Sequence, residues 1–166
     1  MLPRRTILIV VLLVAAVLAA RLAAQRHETT PDGVAATVTR VVDGDTIHVD
    51  LGGTDETVRY IGIDTPESVK PDTPVQCFAK QAAAANARLV RGQDVRLRFD
   101  AERRDRFGRL LAYVFRSDDG TFVNEQLVRD GDARPLRIAP NTRYAARFRS
   151  LAAEARAADR GLWKAC

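Results

Sequence analysis

The stretch Thr37-Val38-Thr39-Arg40-Val41-Val42-Asp43-Gly44-Asp45-Thr46-Ile47-His48-Val49-Asp50-Leu51 holds two extended segments and the turn that joins them. Residues 37–42 are mostly β-branched, which favours a pleated strand, and Asp43-Gly44 is a hairpin turn signal. Ile47, Val49 and Leu51 then alternate with His48 and Asp50, the period of a strand with one buried face. Gly52-Gly53 turns the chain again. Val58 to Ile63 reads as a third strand, stopping before Thr65-Pro66 because the residue ahead of a proline is restricted.

Downstream, residues 76–91 are rich in alanine, with Phe78, Ala82, Ala85, Leu89 and Val90 near helical spacing and Gly92 just past the end. Val95, Leu97 and Phe99 alternate with Arg96 and Arg98 as a fourth strand, and Leu110 to Arg116 is a fifth. A short helix is expected over Val123 to Arg129, closed by Gly131, followed by an irregular stretch from Asp132 to Asn141. A last helix places Tyr144, Phe148, Leu151, Ala152 and Ala155 on one face and ends at Gly161, with its arginines on a solvated side. Five short strands with a helix between the third and fourth predict a mainly β fold with helices. It is a five-stranded oligonucleotide/oligosaccharide-binding (OB) barrel with three helices.

The 166 residues suffice for one domain and a tail, and 46% apolar with 28% charged residues is a globular composition. Arg4, Arg5 and Arg21 take three of the 26 basic residues, so residues 25–166 carry 23 against 21 acidic ones. That near balance argues against a bulk polyanion binder, and any nucleic-acid contact must come from local clustering. Arg4 and Arg5 precede an apolar run from Ile7 to Ala20, too short for a comfortable membrane span but suited to an export signal. Residues 1–24 are therefore expected to be a signal peptide or, if uncleaved, a membrane anchor through residues 7–20. Residues 25–35 form a polar spacer, and residues 36–166 the folded domain. The protein is expected to be secreted or otherwise extracytoplasmic. Cys77 and Cys166 are the two cysteines, and in an exported chain an even count suggests a bridge; the alternative is two unpaired thiols with Cys77 buried.

Asp43, Asp45, Arg59, Asp64 and Glu67 crowd charge into strand-like sequence, which is costly unless something binds there. Asp45 and Asp64 follow strand-like segments, an arrangement expected to bring them to one barrel rim. With the carbonyl of pre-proline Thr65 they form an oxygen donor set suited to Ca²⁺. Arg59 lies between Val58 and Tyr60, where a buried guanidinium needs an anionic partner: Asp45, Asp64, Glu67 or a phosphate. Arg109, after Asp105-Arg106-Phe107-Gly108, is a second phosphate-binding candidate. A cation, a carboxylate facing water and two arginines together suit phosphodiester hydrolysis. Each group also has an ordinary structural use, Asp43 and Asp45 as turn formers among them.

In order and spacing, VDGDT, VRYIGIDTPE, DRFGR, VNEQLVRDG and a final GLW resemble the staphylococcal nuclease (thermonuclease) family over residues 36–163. The resemblance implies the five-stranded barrel with three helices and a Ca²⁺-dependent endonuclease that acts on DNA and RNA and leaves 3′-phosphate ends. It implies metal ligands at Asp45, Asp64 and the Thr65 carbonyl, a general base at Glu67 and phosphate-binding arginines at Arg59 and Arg109. Single-stranded substrates, no obligate protein partner and a monomer are expected. The pattern departs at Phe107, where the family has tyrosine, and near Arg137, where a second pocket tyrosine would fall. The ring of Phe107 still offers a face for a base. A non-catalytic nucleic-acid-binding barrel, or an adaptor using the barrel for protein contacts, would keep the fold without the full acid and arginine set.

Overall fold

The computed structural model describes residues 33–67 and 74–166. The expected export segment, residues 1–24, and the spacer as far as Asp32 lie outside the described residues. Strands β1 (Val34–Val41), β2 (Thr46–Asp50) and β3 (Asp55–Tyr60) form an antiparallel meander. A two-residue strand β4 (Ile63–Asp64) follows, then helix α1 (Ala79–Val90), β5 (Asp94–Arg98) and β6 (Leu110–Arg116). The chain continues through α2 (Val123–Arg129), a two-residue strand β7 (Arg134–Pro135), α3 (Ala145–Ala157) and a final turn of helix, α4 (Leu162–Ala165).

The sheet closes in the order β1-β2-β3-β6-β5, so the expected five-stranded barrel with three substantial helices is the fold. β3 and β6 run parallel, with Val58 opposite Leu110 and Arg59 opposite Leu111. This pairing sets Arg109, one residue ahead of β6, beside the strand that carries Arg59. Inward residues such as Val49, Val58, Val95, Leu97 and Val114 are fully buried, as alternation requires. Phe148, Ala152 and Ala155 form the buried face of α3, with Tyr144 and Leu151 partly buried at its margins.

Several boundaries differ from the sequence expectation, beginning with β1, which starts at Val34 inside the stretch expected to be spacer because residues 34–37 pair with β5. The third strand starts at Asp55 and stops at Tyr60, and Ile63-Asp64 pairs with Arg134-Pro135 as a separate two-stranded sheet. Gly62 causes the break: its φ of +82° is favourable only for glycine, and a Cβ there would lie 2.7 Å from the Phe148 ring. The first helix begins at Ala79, three residues late, because Phe78 adopts a left-handed backbone (φ 69°) that cannot continue a helix.

Cys77 and Cys166 form the bridge, with their Cα atoms 6.0 Å apart across a separation of 89 residues. A loop of that length stabilises the fold by roughly 4–5 kcal/mol in the chain-entropy picture. Disulfides persist in oxidising compartments, and this one suits an extracytoplasmic protein. Among the described residues no helix is long and apolar enough to cross a membrane.

The Gly62 turn separates the strand of Arg59 from that of Asp64, so its cost is measurable. Gly62→Ala should lose roughly 2 kcal/mol or more in urea unfolding, from the left-handed backbone and the clash with Phe148 combined. A loss below about 0.5 kcal/mol would contradict this reading of the turn.

Candidate active site

The turn from Val42 to Asp45 is shaped by its own carboxylate: Asp43 Oδ1 accepts the Asp45 N–H at 3.0 Å, the turn-forming use of aspartate. The Thr46 carbonyl accepts the Val42 N–H at 3.0 Å, and the Asp45 carbonyl accepts the Tyr60 N–H at 2.9 Å. Thr46 lies opposite Arg59 in the ladder, which brings Asp45 and Arg59 together. Gly44 is needed for a second approach, since a Cβ there would sit 2.7 Å from the Thr65 side chain. Thr65 can thus donate from its N–H and its hydroxyl to Asp45 Oδ2, at 2.7 and 2.9 Å.

Arg59 gathers the acids. Its Nε lies 3.1 Å from Asp45 Oδ1 and its Nη2 donates to Asp64 Oδ1 at 2.9 Å. Its Nη1 donates to the Tyr60 and Ile63 carbonyls at 2.8 and 2.9 Å, across the Gly62 turn. Three of the five N–H donors of a guanidinium thereby make hydrogen bonds, and Nε is engaged in the ion pair with Asp45. Asp45 is 4% exposed, and its pKa is pushed up to about 6 by burial; Arg59 opposes the shift, and the neighbouring Asp43 adds to it. Asp64, by contrast, is exposed.

Arg109 is held by its own loop. Asp105 Oδ1 accepts the Phe107 and Arg109 N–H groups at 2.9 and 3.0 Å, and Asp105 Oδ2 accepts Arg109 Nε at 2.8 Å. The Arg109 and Arg106 guanidinium groups lie 5.5 and 4.8 Å from the Phe107 ring centre. Glu67, half-buried, exchanges hydrogen bonds with Gln76: its N–H donates to Oε1 at 2.9 Å and its carbonyl accepts the Gln76 N–H at 3.0 Å.

All the residues expected at the site meet. Asp45, Arg59, Asp64, Thr65, Glu67 and Arg109 line one polar cavity of about 70 Å³, with Asp43 beside them. Arg59 and Arg109 also line a larger neighbouring pocket of about 500 Å³, mostly apolar, with Ile61, Ile63, Leu111 and Leu136 in its walls. Phe107 and Ile138 border it, 68% and 61% exposed. Arg137 does not line this pocket; the aliphatic Leu136 and Ile138 build the wall where the family pattern has tyrosine. Sequence reading missed these two, which carry no motif, and Asn86. Asn86 is buried in α1, accepts from the Tyr60 hydroxyl at 2.9 Å and donates to the Asp43 carbonyl at 2.8 Å, fixing the turn from behind. An asparagine inside an otherwise alanine-rich helix was the available signal.

The family profile described as "Staphylococcal nuclease homologue" matches residues 57–165. This chain belongs to the staphylococcal nuclease family. It is 42% identical over 126 residues to the thermonuclease of Staphylococcus hyicus, covering 76% of this chain and 73% of that protein. It is 40% identical over 140 residues to the thermonuclease of Staphylococcus intermedius, covering 84% and 82%. It is also 42% identical over 132 residues to the endonuclease YncB of Bacillus subtilis (strain 168), covering 78% and 62%. The chain is a nuclease of the thermonuclease family, and membership implies a metal cofactor. The cavity fits one. Asp43, Asp45, Asp64 and Glu67 face two arginines around it, an excess of negative charge on oxygen donors, and Asp45 is a buried carboxylate short of positive charge. Among the described residues no three His, Cys, Asp or Glu side chains cluster closely enough to hold a metal ion by themselves.

Asp45 makes a test of this charge balance. Its carboxyl titrates near 6 in the folded chain and near its ordinary 3.8 when unfolded, so between those values only the unfolded chain has released the proton. Raising pH through this window therefore lowers stability. In chelator, urea unfolding should show Asp45→Asn gaining on the wild type by on the order of 2–3 kcal/mol between about pH 4 and pH 7. A difference that stays flat over that range would contradict the buried, under-compensated carboxylate.

Proposed function

We propose that the chain is an exported, Ca²⁺-dependent endonuclease that hydrolyses phosphodiester bonds in DNA and RNA, favours single strands and leaves 3′-phosphate ends. The observation that carries this reading is the convergence of Asp45, Asp64, Thr65, Glu67, Arg59 and Arg109 on one small polar cavity. Asp45, Asp64 and the Thr65 carbonyl hold the cation, which when bound supplies Lewis acidity toward a phosphoryl oxygen. Glu67 orients the attacking water and takes its proton. The water oxygen ends on phosphorus, the P–O5′ bond breaks, and the 5′-oxygen leaves taking a proton from solvent, while Glu67 returns the water proton to solvent.

The arginines divide the work unequally. Arg59 spends three N–H donors on Asp64 and the turn carbonyls and holds its Nε against Asp45 as an ion pair, leaving the second Nη2 N–H for phosphate. Arg109 is pinned by Asp105 Oδ2, which lies 2.8 Å from both its Nε and its Nη2, so Nη1 is left for the charge that develops on the phosphoryl oxygens. The larger pocket receives the adjoining base, with the Phe107 ring as a stacking surface. A base enters such a pocket only when unstacked and unpaired, which supports the preference for single strands.

Incubation of the purified protein with single-stranded DNA and Ca²⁺, with and without chelator, tests this function. Cleavage that the chelator abolishes is expected, and no cleavage at any neutral or alkaline pH would contradict it. Salt-dependent binding without turnover would mark a binding module instead. Arg109→Lys should lose roughly 100-fold or more in kcat/KM while stability changes by less than about 1 kcal/mol, since an ammonium cannot reproduce the fork. Unchanged turnover would remove Arg109 from the mechanism.

A further inference from the structure

Glu67 has both of its backbone polar groups satisfied by a single residue nine positions away, Gln76, one through the side chain and one through the main chain. Gln76 is exposed and packs into no part of the core. Its neighbour Cys77 is bonded covalently to Cys166, which closes the last turn of α4. That turn is itself anchored: Leu162 is fully buried, and its N–H donates to the Gly131 carbonyl at 2.9 Å. A continuous connection thus runs from the packed end of the domain, through the disulfide and Gln76, to the backbone of Glu67.

We infer that Gln76 is a positioning residue for Glu67 and that the Cys77–Cys166 bridge holds Gln76 in place to do this. The inference rests on the role proposed above for Glu67 as the base. A base must meet its proton within hydrogen-bond reach, and a displacement of about 1 Å can cost on the order of 100-fold in rate. Glu67 lies outside regular structure, just after Pro66, and no β-ladder among the described residues includes it. The two bonds to Gln76 supply that constraint. An exposed glutamine could not supply it by packing; two ties limit its freedom, the Gln76 carbonyl accepting the Ala79 N–H at 3.1 Å at the start of α1 and the covalent bridge at the next residue. The bridge thereby acts on the reaction as well as on stability.

The test compares the wild type with Gln76→Ala, Gln76→Glu, the Cys77→Ser/Cys166→Ser pair and the combination of that pair with Gln76→Ala. All are assayed at a temperature where circular dichroism shows each to be folded. Gln76→Ala removes the acceptor for the Glu67 N–H and keeps the backbone bond. It should lower kcat roughly 10-fold with KM nearly unchanged. Gln76→Glu keeps an acceptor oxygen in the same place and should retain most of the rate. The serine pair should lower kcat similarly, and the combined variant should lose less than the product of the two effects, because both act on one constraint. Amide hydrogen exchange at Glu67 gives a readout independent of turnover: it should quicken in Gln76→Ala and in the serine pair and stay slow in Gln76→Glu. A wild type that cleaves, with Gln76→Ala unchanged in kcat or in Glu67 exchange, overturns the positioning role alone. Multiplicative losses overturn the link to the bridge, and a wild type that cleaves nothing overturns the underlying nuclease reading.

Discussion

The site depends on one partly buried guanidinium, that of Arg59, whose side chain is 14% exposed. Arg59 sits on a barrel strand where apolar residues are expected, and such a charge survives burial only when it is paired and hydrogen-bonded. Its fork supplies that by bonding Asp45, Asp64 and two carbonyls on either side of a tight turn. The two carboxylates thereby come to one cavity although they are nineteen positions apart in sequence. Removing the guanidinium would leave a buried Asp45 without its main compensating charge, so the fold and the site share this interaction.

The surrounding chain is shaped to let those groups meet. Gly44 leaves room for Thr65 against the Asp45 turn, and Gly62 allows the reversal that returns Asp64 toward Arg59. Asn86 reaches from α1 to hold both the Tyr60 hydroxyl and the Asp43 carbonyl. The parallel pairing of β3 with β6 brings Arg109 in from far downstream, and Asp105 fixes its orientation. These contacts account for a cavity walled by charge inside a domain whose core is otherwise apolar.

The barrel was legible because its strands alternate cleanly and its first two turns carry Asp43-Gly44 and Gly52-Gly53. The candidate set that meets at the cavity was legible because acids and an arginine in strand-like sequence are expensive without a purpose. The break after Tyr60 was not: Ile61 and Ile63 continue the apolar pattern, and only the close approach of Phe148 to Gly62 reveals the turn. Local pattern likewise could not show that Arg59 spends most of its donors on protein groups, which is a consequence of tertiary geometry. The pocket wall formed by Leu136 and Ile138 looked like irregular loop, because aliphatic residues acquire a binding role only from the cavity they border. The disulfide was open from the cysteine count, but its tie to Glu67 through Gln76 depends on contacts between distant segments.

The central claim is that Arg59 assembles Asp45 and Asp64 into a cation site on the barrel rim. Calorimetric titration of Ca²⁺ into the oxidised protein and into Asp64→Ala tests it most directly, because Asp64 is exposed and its loss should spare the fold. One Ca²⁺ per chain is expected for the wild type, with binding weakened roughly 10-fold or more in Asp64→Ala. Equal affinity in the two proteins would contradict the account.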